Sequence, residues 1–252
     1  MDTKDTANPE TMRDFRDATG VGAILFDPAL LPQADTVLFD ASSFERADAE
    51  PVAVGGRGAA WFVRTDAGDA VLRHYRRGGM VARFSRDTYL WNGAERTRSF
   101  REFRLLRALR ERGLPVPAPL AAAYWRSGTG YRAALLMSRI AGAESMGALF
   151  DRGAAPPWSG IGGTLARFHR AGACHADLNV DNVLMDAQGT LWLIDFDRGT
   201  LRAPARGWRR ANIARLRRSL RKRLGARADG ADIVAGWNDM LAAYQDAMQE
   251  PA

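Results

Sequence analysis

The sequence predicts an α+β protein of two lobes, a small β-rich one followed by a compact helical one, and three observations point that way. Strand-like segments and a hairpin crowd the chain up to about residue 138. Helical periodicities dominate beyond it. A polar loop carrying two carboxylates and an amide then sits among the helices. With 252 residues and 46% hydrophobic content, the chain can bury a substantial core as one catalytic unit, with no room for a second.

Residues 1–20 are polar and expected to be loose; residues 21–137 form the expected N-lobe and 138–252 the hinge and C-lobe. Apolar runs near 52–64 and 70–76 read as strands, and 120–138 reads as a hairpin turning on Ser127, Gly128, Thr129 and Gly130. Between them Phe100, Phe103, Leu106 and Leu109 recur at helical spacing over 97–110, and the prolines at 115, 117 and 119 follow its end. After a linker around 140–144, helices are expected near 145–151, 158–171, 208–224 and 231–247, with a β-hairpin over 183–194 turning on residues 186–189.

His175, Asp177 and Asn182 fit the spacing HxDxxxxN, and the 183–194 hairpin returns the chain to Asp195 in the run AspPheAsp. Phosphoryl transfer needs this set: one Asp orients the attacking hydroxyl and accepts its proton, while an Asn and a second Asp hold magnesium on the nucleotide phosphates. The spacing therefore reads as a kinase catalytic core, with Asp177 catalytic, Asn182 and Asp195 as metal ligands, and ATP with Mg2+ as the cofactors. A lone HxD triplet would say little; the hairpin and the second carboxylate give it weight.

Upstream, Gly56 and Gly58 form a GxG pair ahead of an apolar run, as expected of a loop whose backbone amides cover phosphates, although turn glycines look the same. The 70–76 strand carries Arg73 where kinases place a phosphate-binding Lys, and an exposed strand arginine is the plain alternative. Glu102 on the arginine-rich helix is its expected partner, with Glu95 as the alternate; Val71 is expected against adenine, and 137–140 near the nucleotide as a hinge. These parts place the active site between the lobes.

The segments GlyArgGlyAlaAlaTrpPheVal, LeuArgHisTyrArgArgGlyGly, AspThrTyrLeuTrp, PheArgLeuLeuArgAlaLeu, CysHisAlaAspLeuAsn and LeuIleAspPheAspArgGly together resemble the bacterial 3-deoxy-D-manno-octulosonic acid (Kdo) kinases. These form the lipopolysaccharide-core kinase branch of the protein-kinase-like superfamily, and the resemblance runs from about residue 50 to 224. It implies a two-lobed protein-kinase-like fold and ATP-dependent phosphorylation of the Kdo sugar of Kdo-lipid A, at its 4-hydroxyl. It also implies a place on the cytoplasmic side of the bacterial inner membrane. By the same resemblance Asp177 is the catalytic base or orienting group, and Asn182 and Asp195 bind magnesium. A heptose kinase or a protein kinase of the same superfamily is the nearest competitor. Asn179, where protein kinases commonly carry Lys, and the lack of an AlaProGlu segment speak against peptide acceptors; Asp197 replaces the usual Gly and is left without a role.

The formal charge of +7 concentrates at 209–224, where Ile213, Leu216, Leu220 and Leu224 form an apolar stripe among basic residues. Such a stripe packs on its own lobe, holds an anionic membrane surface through its arginines, or does both. A second basic run at 73–86 offers Arg76 and Arg77 to an acidic sugar. A nucleic-acid-binding protein is the reading from a different class, but it leaves the Asp177, Asn182 and Asp195 set unexplained, so no nucleic acid is expected and no obligate protein partner is inferred. The single Cys174 and three histidines show no disulfide or zinc spacing, and no apolar run reaches membrane-spanning length. His175 is expected to prop the catalytic loop, with a proton-transfer role left open.

Overall fold

The structure, a computed structural model, describes residues 10–18, 20–45, 48–52, 60–76 and 87–249. The backbone divides into two compact units, one of residues 1–104 and 118–139 and the other of 105–117 and 140–252.

The first unit is built on an antiparallel sheet. Its strands are β1 (Thr11–Asp17), β2 (Gly20–Phe26), β3 (Ala49–Pro51), β4 (Ala60–Thr65), β5 (Gly68–His74), β6 (Tyr89–Leu90), β7 (Pro119–Ser127) and β8 (Gly130–Ser138). Their order is β1-β2-β7-β8-β5-β4-β3, with β6 also on β8. The β7–β8 hairpin turns where the Ser-Gly-Thr-Gly run predicts, and Gly128 takes the left-handed φ of 57° that such a tight turn asks of glycine. Residues 11–17, expected to be loose, instead form β1 in register with β2, Phe15 opposite Gly22. The polar sequence hid this because β1 is an edge strand, largely exposed, held by its backbone ladder more than by burial.

Strand parity decides which side chains meet. Ala70 and Leu72 of β5, with Ala121 and Ala123 of β7 and Ala134 and Leu136 of β8, join Ile24, Phe26, Val63 and Phe39 in one buried apolar cluster. Val71 and Arg73 therefore face the other way, opposite Met137 and Leu135 in the ladder to β8. Helix α1 (Arg98–Glu111) begins in this unit; its Ser99 hydroxyl donates to the Ala123 carbonyl at 2.9 Å, and Phe100 meets Tyr124 edge-on at 5.3 Å.

The second unit holds α2 (Met146–Asp151), α3 (Trp158–Arg170), α4 (Arg206–Leu224) and α5 (Ala231–Gln249). Short strands β9 (Glu144–Ser145), β10 (Ala173–Cys174), β11 (Val183–Met185), β12 (Leu191–Leu193) and β13 (Thr200–Leu201) complete it. Helices α3 and α5 pack at glycine: a Cβ on Gly162 would lie 2.1 Å from the Met240 carbonyl oxygen, and one on Gly236 2.0 Å from the Trp158 indole nitrogen. Leu216, Leu220 and Leu224 of α4 are buried, so the apolar stripe of the basic helix packs on its own unit. The β11–β12 hairpin turns on Asp186, whose carboxylate accepts from the backbone of Gln188 and Thr190 and from the Trp192 indole. Cys174 is buried and free.

Candidate active site

The loop from His175 to Asn182 connects β10 to β11, and its own side chains fix its shape. His175 is 2% exposed; Nδ1 accepts from the Asp177 backbone N–H at 3.1 Å, which leaves Nε2–H to donate to the Ile194 carbonyl at 2.9 Å. Burial, as the largest cause, pushes its pKa below the ordinary histidine value, so the ring stays neutral. Both nitrogens are engaged, and the imidazole is a prop for the loop. Phe196 packs its ring 4.6 Å from that of His175 and stacks on Phe168 at 5.9 Å.

Asn179 staples the loop: its Oδ1 accepts from the backbone N–H groups of Asp181 and Asn182 at 2.9 and 3.1 Å, and its Nδ2 donates to the Asp177 carbonyl at 3.1 Å. Asn182, 8% exposed, donates from Nδ2 to the same Asp177 carbonyl at 3.0 Å. Its own carbonyl accepts from the Ile194 N–H at 3.1 Å, which ties it to the residue preceding Asp195. Asn182 is thus tied within one unit to Asp177 by a side-chain-to-backbone bond and to the residue before Asp195 by a backbone bond, and the Asp177 side chain remains 65% exposed. Asp195 adopts φ 60° and Arg198 φ 59°, left-handed backbone that few residues other than glycine occupy.

Because Nδ2 of Asn182 is committed to a carbonyl, Oδ1 is the atom left to meet a cation. An amide oxygen and a carboxylate suit Mg2+, which keeps several waters and takes its other ligands from substrate phosphates. Among the described residues no cluster of three or more His, Cys, Asp or Glu side chains could hold a metal without such help.

Helix α4 holds this loop from behind at successive turns. The Asn212 amide, 4% exposed, accepts from the His175 N–H at 3.1 Å and donates to the His175 carbonyl at 2.8 Å. Arg215 places Nη1 3.7 Å from Oδ1 of Asp177. The Ser219 hydroxyl accepts from the Val180 N–H at 3.2 Å, and Arg223 reaches Asp181 at 3.3 Å and Asp151 of α2 at 3.0 Å. Their spacing, 212, 215, 219 and 223, keeps one helical face on the loop. Sequence reading missed this face because it divided the helix into an apolar stripe and surrounding basic residues; Asn212 and Ser219, uncharged polar residues among arginines and leucines, were the signal.

In the first unit Arg73 forms an ion pair with Glu102, whose side chain is 1% exposed, and the Tyr75 hydroxyl donates to the same carboxylate at 2.7 Å. Burial first, then the neighbouring Glu102 charge, raise the Tyr75 pKa well above its ordinary value, so it stays a donor. Glu95, the alternate partner, pairs instead with Arg104. Tyr75 escaped sequence reading, although it shares the strand face of Arg73 two residues on. Ser138 and Arg139 already spend their N–H groups on the Ala118 and Asp69 carbonyls, so the hinge expected at 137–140 offers neither. Gly56, Gly58 and Arg77 lie outside the described residues.

The arginines of α4 also have partners beyond the loop: Arg217 lies 4.8 Å over the Trp237 ring and Arg221 is 3.7 Å from Asp229. Among the described residues no helix is long and apolar enough to cross a membrane.

The chain is similar to proteins named 3-deoxy-D-manno-octulosonic acid kinase. That of Xanthomonas campestris pv. campestris (strain B100) is 57% identical over 241 residues, 94% of each chain. That of Xanthomonas oryzae pv. oryzae (strain PXO99A) is 54% identical over 240 residues, again 94% of each. The protein from Stenotrophomonas maltophilia (strain R551-3) is 54% identical over 223 residues, 87% of this chain and 88% of the relative. A family model matches residues 42–244, which include the catalytic loop, Asp195, the Arg73–Glu102 pair and all of α4. On this match and these identities, the chain belongs to the lipopolysaccharide kinase (Kdo/WaaP) family.

Proposed function

We propose that this protein phosphorylates the Kdo sugar of Kdo-lipid A or a related lipopolysaccharide precursor, at the 4-hydroxyl, with ATP as donor and Mg2+ as cofactor. The observation that carries the reading is the catalytic loop: His175, Asn179 and Nδ2 of Asn182 bond to backbone carbonyls and N–H groups, while the Asp177 side chain stays 65% exposed. Asp177 orients the acceptor hydroxyl and takes its proton as the oxygen attacks. Asn182 Oδ1 and the Asp195 carboxylate are the groups that would hold magnesium, which when bound offsets the charge of the phosphates. Arg73, fixed by Glu102, supplies a cation for those phosphates, with Gly56, Gly58 and Val71 as further nucleotide contacts.

The test incubates purified protein and magnesium ATP with Kdo-lipid A, heptosylated core or a protein acceptor, and reads phosphate addition by mass spectrometry. Kdo-lipid A is expected to gain one phosphate and the others none. Asp177→Asn should lower the rate by about 10²–10⁴ with the fold intact; an unaltered rate would remove Asp177 from the mechanism.

Peripheral attachment to the cytoplasmic face of the inner membrane is part of this proposal. It rests on Arg210, Arg218 and Lys222, exposed at near-helical spacing on α4, each contributing roughly 1 kcal/mol near acidic lipid. Flotation with anionic vesicles should weaken when these three are neutralised.

A further inference from the structure

We propose that Arg215 is the residue that reads the acceptor's carboxylate, an assignment that rests on the proposed reaction. An ulosonic acid carries its carboxylate on the same ring system as the hydroxyl to be phosphorylated. Bringing it to Asp177 sets two anions close together, which opposes binding unless a cation stands between or beside them. Asn179, two residues after Asp177, is uncharged: its amide bonds the loop backbone and reaches Asp177 Oδ2 at 3.4 Å without bringing a charge. The cation comes from α4: among the described residues Arg215 alone places a basic nitrogen within 4.0 Å of Asp177.

Its geometry suits a ligand better than a structural pair. At 3.7 Å the Arg215–Asp177 separation exceeds the roughly 2.7–2.9 Å of a charge-assisted hydrogen bond, and the Arg215 side chain is 44% exposed. Among the described residues it makes no hydrogen bond, so its planar fork of donors is open to an oxyanion, which carboxylate geometry matches two-to-two. Arg218 and Lys222, further along the helix, are exposed, and neither comes within 4.0 Å of Asp177. The backbone beneath Arg215 is fixed relative to the loop by Asn212 one turn before and Ser219 one turn after, so the side chain is carried on a rigid base beside Asp177.

The experiment compares Kdo-lipid A with the same acceptor esterified at the Kdo carboxyl, using wild type, Arg215→Gln and Arg215→Lys at saturating magnesium ATP. Wild type should lose about tenfold or more in kcat/KM on the ester, the scale of a hydrogen bond to a charged group. Arg215→Gln should show that same loss on Kdo-lipid A itself, through KM, and should no longer distinguish the two acceptors; Arg215→Lys should recover part of the discrimination. The KM for ATP should stay within about twofold, since the carboxylate belongs to the acceptor. Equal use of ester and acid by wild type would overturn the proposal without recourse to any variant. A rise confined to the KM for ATP would overturn it too, and would assign Arg215 to the transferred phosphoryl group. A wild type inactive on Kdo-lipid A would instead remove the proposed reaction, and this assignment with it.

Discussion

Replacing Asn212 with leucine should separate the catalytic loop from the helix that holds it. The amide makes two hydrogen bonds to one residue, accepting from the His175 N–H and donating to the His175 carbonyl, at a position only 4% exposed. Leucine has similar bulk and fills the space, but it strands a backbone donor and a backbone acceptor away from water. Each such group costs about 1–3 kcal/mol, so the pair comes to about 2–6 kcal/mol. For a chain of this size 1 kcal/mol moves Tm by about 2–4 °C, which predicts a fall of at least about 4 °C. Asn212→Asp is the graded control: it can still accept from the N–H but sets a carboxylate oxygen against the carbonyl, and should recover only part of the loss. The assay pairs thermal unfolding with steady-state kinetics, and kcat should fall in step because Asp177 lies two residues beyond His175. A leucine variant within about 1 kcal/mol of wild type, with unchanged kcat, would refute the view that α4 fixes the loop.

The Arg73–Glu102 pair supplies a second test. Glu102→Ala leaves a guanidinium that is only 17% exposed facing the lost carboxylate, and should destabilise by about 3–5 kcal/mol in urea unfolding, whereas a paired Arg73→Met, Glu102→Leu variant should regain much of it; equal stability of the two would count against the pair. His169, buried beneath Tyr244, has its pKa lowered to about 4, chiefly by burial. The unfolded chain takes up that proton at about 6.5, so the contribution is intact above that pH and falls as pH drops toward 4, by up to about 3 kcal/mol. His74 and His175 are depressed in the same direction. A His169→Gln variant should show a visibly flatter stability profile between pH 7 and 4.5, and an identical profile would reject the assignment. Gly162→Ala should drive α3 from α5, because its Cβ would fall 2.1 Å from the Met240 carbonyl oxygen, and an unchanged Tm would show that the helices can part cheaply.

The parts that sequence made legible are those with strong local signals. The glycine-bearing turn of β7–β8, the 3.6-residue periodicity of α1 and the HxDxxxxN spacing are each local signals that a single stretch of chain carries. Strand β1 was hidden because an edge strand needs no apolar face. Glu102 is the partner the sequence favours for Arg73, with Glu95 as alternate, and the ion pairs of the structure join Arg73 to Glu102 and Glu95 to Arg104. What was illegible arises from contacts distant in sequence: Asn212 lies 37 residues from His175 and Ser219 39 from Val180. No pattern within α4 announces which loop it will support. The arginines of that helix read as one electrostatic stripe, yet the fold gives them separate occupations, Arg223 between two carboxylates, Arg217 on an indole and Arg215 beside Asp177.

The left-handed φ of 60° at Asp195 bears on how this residue should be probed. Aspartate and asparagine tolerate that region because their short polar side chains find local partners, whereas alanine meets a steric penalty of roughly 1–2 kcal/mol. An alanine substitution there would remove the carboxylate and deform the peptide geometry together, and any lost turnover would have two origins. Asparagine keeps the size and the backbone preference while deleting the negative charge, so it alone separates the chemistry of this position from its shape.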